Sequence, residues 1–103
     1  MEHISDYLDF KPSDEGIRYT YQNRDTAILL SGSKINRCTS RKGIGFQLFL
    51  NEEEYHKIKN SKLNLISAHF YGGNYIWLPE SSHYIIDICK FMGWKNKGKL
   101  KIQ

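Results

Sequence analysis

The chain has 103 residues, 15 Lys and Arg against 11 Asp and Glu, a formal charge of +4 and 40% hydrophobic residues. That length supports one core rather than two, and the composition is ordinary for a globular protein, which excludes wholesale disorder. Apolar runs such as "AILL" and "YII" fall far short of the roughly 20 residues that span a bilayer, and the opening "MEHISDYLDF" lacks the basic-then-apolar pattern of a signal peptide.

A single domain over residues 1–103, acting in the cytoplasm without membrane contact, is therefore expected. Charge is unevenly spread. Residues 1–16 hold Glu2, Asp6, Asp9, Asp14 and Glu15 against Lys11, a net −4, which leaves +8 for the remainder. A basic body behind an acidic leading segment favours polyanionic partners. The bland alternative is a set of solvated lysines, and a Lys count of eleven against four Arg fits an AT-rich coding sequence as well. Cys38 and Cys89 are the only cysteines. They make no CxxC pair and no disulfide framework, and in a reducing compartment they read as buried or idle thiols. A bridge between them and a Cys–His nucleophile are the alternatives.

In chain order, Ile4, Tyr7 and Leu8 recur at helical spacing and predict a short docking helix. "KPSDEG" breaks it. "IRYTYQN" alternates as a strand, "NRD" reads as a turn, and "TAILLS" returns as a second, more buried strand. Residues 31–43, "SGSKINRCTSRKG", read as a basic loop with Lys34, Arg37, Arg41 and Lys42, holding at most a short edge strand over residues 34–39. "IGFQLFL" is an amphipathic strand with Gln47 and Phe49 turned away from its apolar face.

"LNEEEYHKIK" then carries the clearest local signal. Asn51 is placed to cap a helix, Glu54 to complete a capping box, and Leu50 with Tyr55 to form a hydrophobic staple. His56 falls on its polar face. "LNLISAHFY" and "NYIWLP" read as two more strands around Gly72, Gly73 and Asn74. A three-residue loop pairs Tyr71 with Tyr75 and sorts apolar side chains to one face; a two-residue loop reverses the second strand. Ser81 or Ser82 then caps a helix with core positions Ile85, Ile88, Cys89 and Met92, stopped by Gly93. The lysine-rich stretch 95–103 reads as a frayed extension or a late edge strand.

The predicted fold is α+β: a mostly antiparallel sheet of about five strands in the order (α)βββαββα, with two main helices on one face. Residues 41–58, a basic turn, an amphipathic strand and "LNEEEYHKI", resemble the strand-to-helix corner of PC4-like single-strand DNA-binding domains. They carry no diagnostic side chain of such domains. Two further strands and another helix depart from that pattern, so no family follows from it.

The functional expectation is a small non-enzymatic binding protein. Its surface would be an aromatic sheet face, Tyr71, Tyr75 and Trp77, together with the basic residues Lys34, Arg37, Arg41 and Lys42. Tyr and Trp suit base stacking and suit protein interfaces equally. The partner would be a nucleic acid or a nucleic-acid-handling protein, as for the inhibitors of phages and mobile elements. Burial of this face by loops, by the leading segment or by a second copy is the structural alternative. An enzymatic alternative uses His69 and His83 as acid and base of a small ribonuclease or toxin, with Glu80 nearby. The same three residues could ligate a metal, but their spacing matches no ligand pattern, and neither a metal nor a cofactor is expected. An immunity-type toxin inhibitor is the third reading.

Overall fold

The computed structural model describes residues 3–12, 17–18, 21–80 and 84–95. The leading apolar positions form a single 3-10 turn, Ile4–Asp6, closed by His3: its ring accepts from the Ser5 N–H and its own N–H donates to the Asp6 carboxylate. The turn delivers Leu8 into the core, with Ile4 and Tyr7 packed beside it.

Among the described residues there are seven strands: β1 (Lys11–Pro12), β2 (Ile17–Arg18), β3 (Tyr21–Ile28), β4 (Lys34–Ser40), β5 (Gly43–Phe49), β6 (His69–Tyr71) and β7 (Tyr75–Pro79). They form one antiparallel sheet in the order β1-β3-β4-β5-β7-β6, with β2 also paired to β3. β1 and β2 both lie along the side of β3 away from β4, through Lys11↔Thr26 and Ile17↔Gln22, so the sheet is six positions wide. Two helices, α1 (Glu52–Lys59) and α2 (Tyr84–Met92), complete the α+β fold. Among the described residues no helix is long and apolar enough to cross a membrane.

Three local expectations are corrected. "NRD" is not a turn: β3 runs straight through it, and the extra residue is absorbed as a bulge where the register with β4 shifts between Asn23 and Asp25. Polar turn-formers fit a bulge for the same backbone reasons that fit them to a turn. The segment expected as a basic loop with at most an edge strand is β4, a central strand. Its polar side chains concealed it: buried Asn36 bonds Thr26 and Gln47, and half-exposed Arg37 bonds Glu80. In "LNLISAHFY" only the last three residues are a strand.

α1 is built from its cap. The Asn51 side chain accepts from the Glu54 N–H at 2.8 Å, as expected of an N-cap. The reciprocal half of a capping box is replaced by Ser33, whose hydroxyl accepts from the Asn51 N–H at 3.1 Å and donates to the Glu54 carboxylate. That relay ties the β3–β4 turn to the helix start. The Tyr55 hydroxyl donates to the Tyr71 carbonyl at 2.8 Å and fastens the β6–β7 hairpin to the helix. α2 ends as predicted at Gly93, with φ +74°. The Gly93 and Trp94 N–H groups bond the Lys90 and Cys89 carbonyls, the paired bonds of a Schellman stop. Residues 81–83 and 96–103, where the serine caps, His83 and most of the lysine-rich stretch fall, lie outside the described residues.

Register assigns the two faces. Ile35, Leu48 and Ile76 are mutually opposite, as are Phe46 and Leu78. These join Tyr55, Ile58, Ile85, Ile88 and Cys89 in one core beneath both helices. Cys38 and Trp77, also buried, lie on the other face and outside that cluster.

Candidate binding face

β6 and β7 pair with Tyr71 opposite Tyr75 and His69 opposite Trp77, so the loop is Gly72, Gly73 and Asn74. Gly73 at φ +77° and Asn74 at φ +60° supply the left-handed residues such a loop requires. This register sends Phe70, Ile76 and Leu78 to the helix side and His69, Tyr71, Tyr75 and Trp77 to the opposite face. Pairing of β7 with β5 then places Phe49 opposite Tyr75.

Four rings stack in succession over three strands, Phe49, Tyr75 and Tyr71 across the sheet and Tyr71 with His69 along β6. Phe49 and Tyr75 are 4.9 Å apart and 10° from parallel, Tyr75 and Tyr71 5.2 Å and 19°, Tyr71 and His69 6.1 Å and 24°. Cross-strand aromatic pairs of this kind contribute about 0.5–1.5 kcal/mol each beyond their area. Phe49 is 41% and Tyr71 40% exposed, His69 is exposed and Tyr75 half-buried. Because the rings face one another, the ladder shows its edges to solvent, and only its end rings, Phe49 and His69, have a face outside the stack.

Trp77 belongs to the interior of this face. It is 3% exposed, and its ring lies so close over Gly45 that an added Cβ there would come within 2.6 Å of it. No partner can rest on it, so the exposed set is Phe49, Tyr75, Tyr71 and His69. Beside Trp77 runs a polar chain through four strands. Thr26 donates to the Asn36 side-chain oxygen at 2.8 Å, the Asn36 amide to Gln47 at 3.3 Å, and the Gln47 amide to the Tyr75 hydroxyl at 3.4 Å. Asn36 and Gln47 are both buried, and among the described residues no buried side-chain polar atom lacks a partner.

The basic residues divide between the faces. Lys42, in the β4–β5 turn, donates to the Tyr71 hydroxyl at 3.0 Å, a contact that reaches across β7. Arg41 is exposed beside it, and Lys34 lies opposite Phe49. Arg37 departs from this group. It stands opposite Phe46 on the helix side and makes a bidentate pair with Glu80, Nε–Oε1 3.2 Å and Nη2–Oε2 3.0 Å.

Of the alternative catalytic set, His69 and Glu80 are not brought together. His69 is stacked on the ladder, while Glu80 is turned to Arg37 on the helix side; His83 lies outside the described residues. Among the described residues no group of three or more His, Cys, Asp or Glu could hold a metal. Burial pushes the Cys38 thiol up to about 11 and the Cys89 thiol up to about 12, so neither is an activated nucleophile. Both are free, and they lie on opposite sides of the sheet, where no bridge can join them.

The ladder's fourth ring, Phe49, and the Thr26–Asn36–Gln47 chain were not among the residues singled out. Gln47 and Phe49 carried a signal, since both turn away from the apolar side of their strand. Its meaning required knowing that β7, not β6, lies beside β5. Comparison with protein-family models, curated proteins and solved structures gives no match to this chain.

Proposed function

We propose that this protein is a non-enzymatic binding module that takes a single-stranded nucleic acid on the face opposite its helices. The observation that carries this reading is the stacked row Phe49–Tyr75–Tyr71–His69 with the Lys42 ammonium bonded to the Tyr71 hydroxyl at its margin. The free faces of the end rings, Phe49 and His69, supply stacking surfaces that accept any base, and Lys34, Arg41 and Lys42 supply cations for phosphate contacts. The +8 charge outside residues 1–16 adds attraction at longer range. A compact module of this kind, acting in the cytoplasm, is suited to occlude nucleic acid or its processing machinery, as phage and mobile-element inhibitors do.

Titration of labelled single-stranded DNA and RNA by anisotropy, across a salt series, tests it. Three phosphate contacts predict a log–log salt slope of about 2. Absent or salt-independent binding overturns the nucleic-acid reading and directs the same face to a nucleic-acid-handling protein.

A further inference from the structure

The cross-sheet row that carries the ladder does not end at Phe49. Lys34 on β4 lies opposite Phe49, and Ile28 on β3 lies opposite Lys34, so one row crosses five strands. In order it reads Tyr71, Tyr75, Phe49, Lys34, Ile28. Ile28 is 68% exposed, because its neighbour Ala27 takes the core side of β3.

The two free ring faces are therefore unequal. His69 lies on β6, at the end of the sheet, and among the described residues no strand stands beyond it. The outer face of Phe49 looks across β4 to Ile28. Neighbouring strands lie about 4.8 Å apart, so β5 and β3 are about 9.6 Å apart. A flat ring in contact with both walls needs about 7–8 Å, and two stacked rings need about 11 Å. The gap takes one ring and rejects a second. Strand side chains lean along their strand, and a long unbranched stem such as that of Lys34 follows this path while keeping its ammonium in water.

The walls are held in place before any ligand arrives. The Leu29 N–H donates to the Ser33 carbonyl at 2.8 Å and closes the β3–β4 turn one residue beyond the Ile28–Lys34 pair. Ser33 is in turn bonded to Asn51 and Glu54 at the start of α1, and Phe49 is backed by Tyr75. Preorganisation of this kind lowers the ordering cost of binding.

We propose that a single base of the bound strand seats between Phe49 and Ile28, with the Lys34 ammonium on its phosphate. The inference rests on the nucleic-acid reading and narrows it: one nucleotide is gripped on both faces at the β3–β5 end of the row.

Methyl resonances of the full chain, titrated with a single-stranded oligodeoxyadenylate, test it. A base in the gap lays its ring face against Ile28, so the Ile28 methyls are expected to move upfield. Ile44 and Ile66, exposed elsewhere, should stay where they are. Phe49→Leu keeps an apolar side chain but removes the stacking ring, and it is expected to lose the shift even when saturated with strand. Binding that leaves Ile28 unmoved, or a shift that Phe49→Leu leaves in place, overturns this placement while the nucleic-acid reading stands. No binding at all overturns both.

Discussion

The two faces of the sheet are both buried near their centres but by different chemistry. The helix side is filled by aliphatic side chains of β4, β5 and β7 against α1 and α2. The opposite side buries Trp77 over a glycine and satisfies its polar groups through Thr26, Asn36, Gln47 and Tyr75. An aliphatic core is stabilised by area and packing, and it tolerates exchange between residues of similar volume. A hydrogen-bonded row is directional: each member fixes the next, and loss of one strands its neighbours. The helix side therefore specifies that the chain folds, while the open side specifies register and leaves its aromatic margin for contact.

Substitutions on each side sharpen that contrast. Ile88→Ala, at a fully buried position of α2, is expected to cost about 2–5 kcal/mol by denaturant unfolding. On the open face, Asn36→Ala leaves Thr26 and Gln47 without their partner and is expected to cost about 1–3 kcal/mol. A cost near zero would show that the row contributes nothing to register.

The two thiols compare the faces through pH. Burial raises Cys38 to about 11 and Cys89 to about 12, from the ordinary 9.0. Above pH 9 the unfolded thiols lose protons that the folded ones keep, so the unfolded state binds fewer protons and stability falls as pH rises. The limiting slope is about 1.4 kcal/mol per pH unit for each thiol. Cys38→Ala should flatten the part of the curve ending near pH 11, and Cys89→Ala the part extending towards 12. Equal curves for wild type and both variants would mean that water reaches the thiols. The smallest effect is expected at the half-exposed Arg37–Glu80 pair, where Arg37→Ala should cost about 1 kcal/mol or less.

Much of this fold was legible where one physical signal dominated. Asn51 before three glutamates, the Ile85–Ile88–Cys89 stripe and Gly93 each specify a helix end or face through short-range geometry. The Gly72–Gly73–Asn74 hairpin was legible because only one register sorts its apolar side chains. β4 was hidden because Asn36 and Arg37 are polar residues made acceptable in a central strand by partners 10 to 43 positions away in sequence. For the same reason Trp77 read as a contact residue: nothing near it reveals that Gly45, two strands earlier in the chain, makes room for its ring. Of the binding face, Tyr71, Tyr75 and Lys42 were legible as types at plausible places, whereas Phe49 required the strand order.

The most direct measurement compares single-strand affinity at fixed salt for wild type, Phe49→Ala, Lys42→Ala and Arg37→Ala, each first shown to be folded. Loss of a stacking ring is expected to weaken binding by about 1–3 kcal/mol, roughly fivefold or more. Lys42→Ala should also weaken it, and Arg37→Ala, committed to Glu80 on the other face, should leave it unchanged. Affinity that is insensitive to Phe49 and Lys42, or that falls as much with Arg37→Ala, would contradict the assignment of this face.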